Sequence, residues 1–289
     1  MVLYPTAWED YALLDYGDGQ KLERFGDYTL IRPEPSARGR PILSRHAWDA
    51  ADAIFELSAP KSGAWHFRRE LPARWQMRYK ALRFWVAPTP FRHVGVFPEQ
   101  AVHWDWLTAR LAFAPSPPRV LCLFGYTGLA TLAAAAAGAA VAHVDASKKA
   151  VQWARQNAEL SGLADRPIRW LVDDALKFAA REVRRGARYD GFILDPPPFG
   201  RGAHGEVWSF EKSMPQLMAL IRQLVSATPC CAIITAYTAK TDLAALRRLL
   251  AETMAGHSGA IEAGELGLRQ QSAARILPTA LYVRWRTTS

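Results

Sequence analysis

From Arg119 onward, short apolar runs alternate with helix-forming stretches, and this alternation constrains the fold more than any other feature. RVLCLF reads as a strand, Gly128 to Ala137 as a helix, AVAHVD as a strand, and Ser147 to Leu160 as a helix with Ser147 as N-cap and Gly162 as its stop. IRWLV, Ala175 to Arg185, YDGFILD, Lys212 to Ala227, CAIITAYT and Asp242 to Ala255 continue the series. Strands separated by helices imply parallel neighbours joined by right-handed crossovers. IEAGELGLRQ and ILPTALYVRWR then follow with no helix between them, so the sheet closes on a hairpin with one antiparallel strand. The expected class is α/β: a doubly wound, mostly parallel seven-stranded sheet with a smaller N-terminal β-rich domain.

Residues 1–90 have a different texture, rich in Trp, Tyr, Phe and Arg, with short runs such as YTLIR and LRFWV separated by Gly17-Asp18-Gly19, Gly26-Asp27, Pro33 to Pro41 and Ser62-Gly63. The domain boundaries expected are therefore 1–90 and 91–289. Residues 91–118 form a connector whose one helix, Pro98 to Phe113, is stopped by Pro115, Pro117 and Pro118.

Composition narrows the function classes. The 50% hydrophobic and 22% charged residues are those of a soluble globular protein. No apolar run approaches the roughly 20 residues that span a bilayer; the longest, Leu129 to Val144, is broken by Gly138. The opening MVLYPTAWEDY has no basic stretch before an apolar core, so no signal peptide is expected. Cys122, Cys230 and Cys231 are too few for a disulfide scaffold, and a reducing cytoplasm is the expected location. A formal charge of +9 favours a polyanionic partner. Arg68, Arg69, Arg74, Arg78, Lys80, Arg83 and Arg92 face only Glu70 in their segment, interleaved with Trp75, Tyr79, Phe84 and Trp85 and preceded by Trp65 and Phe67. That mixture suits single-stranded RNA, and equally a β-domain core with a solvated basic face. A second basic cluster joins Lys177, Arg181, Arg184, Arg185 and Arg188.

Chemistry gathers at the strand ends. The first strand runs into LCLFGYTGLATLAA, a glycine-bearing turn before a helix, where backbone can approach a ligand closely. It is not GxGxxG, so the dinucleotide fingerprint is missing. The second strand ends in Asp145, which can accept both hydroxyls of a ribose or simply open a helix. Asp173 and Asp174 follow the third strand, with the same two readings for an adenine amino group. The fourth ends in Asp195-Pro196-Pro197-Pro198-Phe199, where three prolines force the chain out of the sheet. Four successive strands each deliver a turn or an acid at one sheet edge, and their coincidence outweighs any single motif.

On the LFGYTG loop, VDASKKAVQWARQNAELSGL, VDDALKF and ILDPPPFGRG, residues 119–240 resemble class I S-adenosylmethionine-dependent methyltransferases. More narrowly they are similar to the bacterial family of large-subunit (23S) ribosomal RNA methyltransferases that make 5-methylcytosine or 7-methylguanine. GVFPEQ at 95–100 is similar to that family's G-x-F-x-D-Q segment, with Glu99 for Asp. The resemblance implies S-adenosyl-L-methionine as cofactor. Phe124, Gly125, Tyr126, Thr127 and Gly128 would surround its methionine part, Asp145 with Ala146 its ribose, and Asp174 with Asp173 its adenine, Asp195 completing the site. Asp195, Pro196, Pro197 and Phe199 would face the acceptor as the catalytic segment, and Asn157 would serve a structural hydrogen bond. RNA, ribosomal RNA first, is the implied partner; no membrane partner is expected, and the oligomeric state is not legible.

Transfer from a sulfonium requires positioning rather than covalent help. Cytosine C5 is the exception: the similar 5-methylcytosine enzymes use a cysteine near the end of the fifth strand. TAYTAK (235–240) has none there, so a base nitrogen is the expected acceptor. The loop GRGAHGEVWSFEKSMP (200–215), with Arg201, His204 and Glu206, reads as a substrate lid or as a plain surface loop. His93 and Gln100 are expected near the cofactor, and no metal site is assigned because the histidines lack ligand spacing. Two alternatives stay open: a methyltransferase for protein or small molecules, and a non-catalytic relative that keeps the fold.

Overall fold

A computed structural model of the chain describes residues 1–6, 8–59, 62–112, 116–202, 205–237 and 241–288. The chain divides into two compact units: Val2–Ala101 with Gly267–Thr279, and Val102–Leu266 with Met1 and Ala280–Ser289.

The first, front unit carries β1 (Val2–Leu3), β2 (Tyr11–Gly17), β3 (Gln20–Phe25), β4 (Tyr28–Pro33), the short helix α1 (Arg45–Asp49), β5 (Ala53–Ala59), β6 (Ser62–Phe67), β7 (Trp75–Tyr79) and β8 (Leu82–Val86). β2 to β6 form a five-stranded sheet in sequence order, antiparallel except for β4 and β5, whose parallel pairing needs the crossover that α1 occupies. Asp18 and Gly19 turn β2 into β3 with φ of 51° and 77°, as a tight two-residue hairpin requires. β7 and β8 pair as a separate hairpin on a period of two: Trp75, Met77, Tyr79, Leu82, Phe84 and Val86 point inward, while Arg78 and Arg83 pair outside. The aromatics interleaved with the basic cluster are thus mostly core, and the bases are its solvated face.

The tail segment joins this unit through one buried carboxylate. Asp15 is fully buried and accepts from the N–H groups of Tyr16, Ile42 and Leu43, from Trp48 Nε1, from Gln270 Nε2 at 2.8 Å and from Arg275 Nη2 at 3.2 Å. A buried carboxylate survives only with such saturation.

The second unit begins at α2 (Ala101–Leu111) and alternates as expected: β9 (Arg119–Leu123), α3 (Leu129–Ala136), β10 (Ala140–Asp145), α4 (Lys148–Leu160), β11 (Ile168–Val172), α5 (Ala175–Arg184) and β12 (Gly191–Leu194). After β13 (Phe199–Arg201) and β14 (Val207–Ser209) come α6 (Phe210–Leu224), β15 (Cys231–Ala236), α7 (Leu243–Thr253), β16 (Gly259–Arg269) and β17 (Ile276–Thr287). Ser147 caps α4 through Ala150 N at 3.2 Å, and Asp242 caps α7 through Ala245 N at 2.7 Å. Seven of the sheet's eight strands belong here, in the order β16-β17-β15-β12-β9-β10-β11; β9 to β12 and β15 run parallel, and β17 runs antiparallel to β15. One face is packed by α5, α6 and α7 through Phe178, Leu217, Ile221 and Leu250, the other by α2 and α3 through Leu107, Leu111 and Ala134. The described part of the segment at 200–215 carries regular structure. It pairs as the antiparallel hairpin β13–β14 and enters α6 at Phe210; His204 lies outside the described residues.

Candidate active site

The sheet grows outward from β9 to β10 and β11, then returns to set β12 on the other side of β9. Strand order reverses between β9 and β12, and in open α/β sheets the crevice beyond the carboxyl ends at such a reversal binds ligands. Leu194 pairs with Leu123, Leu123 with Val144, and Val144 with Leu171. The residues one step further out, Asp195, Phe124, Asp145 and Val172, therefore form a single row along that rim.

The first turn is held in an uncommon shape. Phe124 and Tyr126 have φ of 59° and 49°, a region that costs aromatic residues energy unless the surroundings enforce it. Asp145 supplies that enforcement: its Oδ2 accepts Tyr126 N at 2.9 Å, while Oδ1 accepts Ser147 N at 2.8 Å. Gly125 N donates to Val144 O at 3.1 Å, and a Cβ on Gly125 would stand 2.4 Å from the His143 ring. Gly128 has φ of 87°, and a Cβ there would meet Ala154 at 2.8 Å. Asn157 Nδ2 donates to Thr127 O at 2.9 Å, the structural bond expected of it. Below the turn, His143 is fully buried, bonded through Nδ1 to Thr131 Oγ1 at 2.9 Å, and burial pushes its imidazole down to about 3.

Asp145 is recessed among protein atoms, and burial raises its pKa despite the two N–H donors that oppose the rise. A carboxylate has about four acceptor sites, and the described residues fill two of them, through Tyr126 N and Ser147 N. Ala146 follows, half-buried, and Val172, directly opposite Asp145, leaves 43% of its surface exposed as an apolar patch on the rim. Asp174 and Asp173 divide differently. Asp174 is buried and caps α5 through Lys177 N at 2.9 Å with Oδ1, so the helix-capping role is realised, and Oδ2 accepts no hydrogen bond from the described residues. Asp173 accepts from Asp174 N with Oδ1 and pairs Oδ2 with Arg181, so both its oxygens are engaged within the protein.

Asp195 leaves β12 at the reversal, with its N–H toward Leu123 O at 3.4 Å. Pro196 is buried and Pro197 half-buried, whereas Phe199 is 58% exposed on β13. Trp208 binds this segment together: its Nε1 donates to Pro197 O at 2.7 Å, and its ring lies 4.6 Å from that of Phe124. One buried indole thus touches both the glycine turn and the Asp195 segment. Lys177 of α5 also pairs with Glu206 of the β13–β14 turn. Trp208, Val172 and the Lys177–Glu206 pair escaped sequence reasoning. Only the apolar run VWSF after Glu206 hinted at the first.

The thiols stand away from this rim. Cys231 pairs with Gly191, four residues before Asp195, which at about 3.3 Å per residue sets it about 13 Å down the sheet. Cys230 precedes it, its N–H on Asp190 O at 2.7 Å. Cys122 is buried mid-strand, and burial pushes its thiol up to about 12. Of TAYTAK, Thr235, Ala236 and Tyr237 are described and residues 238–240 are not. His93 belongs to the front unit, its ring 5.1 Å from Phe97, and burial holds it at about 3.

Known proteins share this arrangement. The crystal structure of the S-adenosylmethionine-dependent methyltransferase from Agrobacterium tumefaciens superposes with a TM-score of 0.94 at 44% identity, covering 99% of this chain and 93% of that one. Ribosomal RNA large subunit methyltransferase I of Aeromonas salmonicida is 40% identical over 85 residues, 29% of this chain and 22% of that protein. Ribosomal RNA large subunit methyltransferase K/L of Methylococcus capsulatus is 35% identical over 119 residues, 40% of this chain and 15% of that protein. The matches thus span less than a quarter of either curated relative. The sequence model for S-adenosylmethionine-dependent methyltransferase matches residues 42–254, a span that takes in the glycine turn, the rim acids and the Asp195 segment. With strand reversal, rim chemistry and sequence all in agreement, the chain belongs to the S-adenosylmethionine-dependent methyltransferase family.

Proposed function

We propose that this methyltransferase acts on a base nitrogen of RNA, with ribosomal RNA as the first candidate, in the reducing cytoplasm that three free thiols suit. The observation that carries the reading is the Asp195–Phe199 segment: an acid at the strand reversal beside an aromatic ring 58% exposed. Phe199 offers a base a face to stack on, worth about 1–3 kcal/mol, while the Asp195 carboxylate holds the polar edge of the ring. Pro197 O already accepts from Trp208, so its part is to fix the segment, and Pro196 stiffens the exit from β12. A base paired within RNA has to be splayed out to reach this edge.

The residues that hold the cofactor follow from the same rim. Asp145 takes the ribose hydroxyls, Val172 and Ala146 offer apolar contact to adenine, and Asp174 Oδ2 accepts its amino group. Asp173, committed to Arg181, shapes this corner instead of touching the ligand. The turn Phe124 to Gly128 surrounds the methionine part. When bound, S-adenosyl-L-methionine supplies an already activated methyl group. The chain's task is then to orient the acceptor and exclude water.

A nitrogen acceptor is favoured over carbon because cytosine C5 needs a thiolate, and the described thiols lie down the sheet or deep in it. The names of the ribosomal RNA relatives and the basic front segment favour RNA over protein. The test is methylation of protein-free ribosomal RNA with isotopically labelled S-adenosylmethionine, followed by digestion and mass spectrometry of nucleosides. Label in an N-methylated nucleoside, undiminished when all three cysteines become serine, supports the reading. Label in 5-methylcytidine, or in no nucleoside, contradicts it.

A further inference from the structure

A cavity of about 380 Å³ lies wholly within the front unit, between residues 4–6, 8 and 11–13, β3 and the tail segment 268–273. Tyr4 and Trp8 give it aromatic wall, Arg24 and Arg269 give it positive charge, and Thr6 and Gln271 add neutral polar groups; no Asp or Glu is among the described residues that line it. This size falls in the range of small-ligand sites.

The walls are fixed before any ligand arrives. Trp8 Nε1 donates to Arg78 O at 2.8 Å, and its ring meets Tyr79 edge-on at 4.8 Å and Phe84 at 6.1 Å. Across the cavity, Gln271 N donates to Leu13 O at 2.7 Å, Ser272 Oγ to Leu14 O at 3.0 Å, and Gln270 Nε2 to Asp15 at 2.8 Å. Arg24 is held by two carbonyls, Glu9 O at 2.8 Å and Gly26 O at 3.2 Å, and Arg269 lies 5.9 Å from the Tyr4 ring. Both arginines line the cavity, and neither guanidinium has a carboxylate at ion-pair distance among the described residues. Preorganised walls spare a ligand the cost of ordering them.

From these contacts we infer that the cavity binds a nucleotide, its base against the Tyr4 and Trp8 rings and its phosphate on Arg24 and Arg269. The ligand is either one unit of a single RNA strand or a free mononucleotide. The first source rests on the RNA reading above and gives it a second foothold on the strand, away from the methylated base; the second source does not depend on it.

The test uses the full chain and two probes: adenosine monophosphate by calorimetry, and a fluorescein-labelled ten-residue oligoadenylate by anisotropy at two salt concentrations. Arg269→Glu and Tyr4→Ala are compared with wild type, with melting and S-adenosylhomocysteine binding as controls for folding. Each variant should weaken binding about tenfold, as loss of one stacked base or one phosphate contact does. For Arg269→Glu the slope of log affinity against log salt for the oligonucleotide should fall by about 0.7. Binding of both probes, each lost in the variants, assigns the site to the RNA strand. Binding of the mononucleotide alone upholds the cavity as a free-nucleotide site and counts against the RNA reading. Oligonucleotide binding that both folded variants retain in full overturns the cavity and leaves the RNA reading standing. Failure of wild type to bind either probe overturns the inference.

Discussion

At the residue scale, Gly125 and Asp145 show how a short motif becomes a binding surface. Nothing larger than hydrogen fits at Gly125, because the His143 ring occupies the place of a side chain. Gly125→Ala should cost about 1–3 kcal/mol by overpacking and abolish measurable S-adenosylhomocysteine binding, as melting and calorimetry would show. Asp145 is read through protons. Its raised folded-state pKa means that acidification above the ordinary 3.8 protonates it sooner in the native chain than in the unfolded one. In the role proposed for it, Asp145 binds the ribose hydroxyls in its ionised form, so affinity for S-adenosylhomocysteine should fall with acidification and binding should release protons in weakly acid buffer. Calorimetry in buffers of different ionisation enthalpy measures that release, and Asp145→Asn should remove it. Both residues were legible in the sequence as a glycine turn and a strand-end acid. That Asp145 also enforces the left-handed Tyr126 was not legible, since this bond joins residues 19 apart whose approach depends on sheet register. Asp173 and Asp174 were legible only as a pair; which one caps and which one pairs is decided by the α5 start and by Arg181, one helix face away.

At the scale of elements, the parallel core was plain because strands buried on both faces read as unbroken apolar runs, and α4, α5 and α7 carried side-chain caps in Ser147, Asp174 and Asp242. The β13–β14 hairpin was hidden. Its strands have three residues each, with Phe199, Arg201 and Val207 exposed, so neither periodicity nor burial marks them. What holds it is Trp208, whose indole N–H is spent on Pro197 O. Trp208→Phe keeps most of the ring and loses that donor. It should lower stability by about 1–3 kcal/mol and speed hydrogen exchange at the hairpin amides, both measurable by mass spectrometry across a denaturant series. The tail segment 267–279 was equally hidden as part of the front unit, because its allegiance hangs on one buried acid, Asp15, in a strand that otherwise looks ordinary.

At the scale of the whole molecule, buried neutral histidines set the response to acid. His103 and His143 are held at about 3 by burial, against 6.5 when unfolded, and neither nitrogen of His103 has a partner among the described residues. For a base whose folded pKa is depressed, stability is complete above the unfolded value and is lost as pH falls from 6.5 toward 3. Each histidine should withdraw about 2 kcal/mol by pH 5, with Asp145, shifted the other way, returning a part. Denaturant unfolding at pH 7.5 and pH 5 checks this, and His103→Phe should flatten the difference. No helix among the described residues is long and apolar enough to cross a membrane.

The central claim is that one sheet rim keeps cofactor and acceptor apart, Asp145 on one side of the strand reversal and Phe199 on the other. Calorimetric titration of S-adenosylhomocysteine into wild type, Asp145→Asn and Phe199→Ala tests it most directly. Asp145→Asn should weaken binding about 10- to 100-fold, as loss of charged hydrogen bonds does, and Phe199→Ala should bind as wild type does. Equal losses in both variants, or none in Asp145→Asn, would contradict this division of the rim.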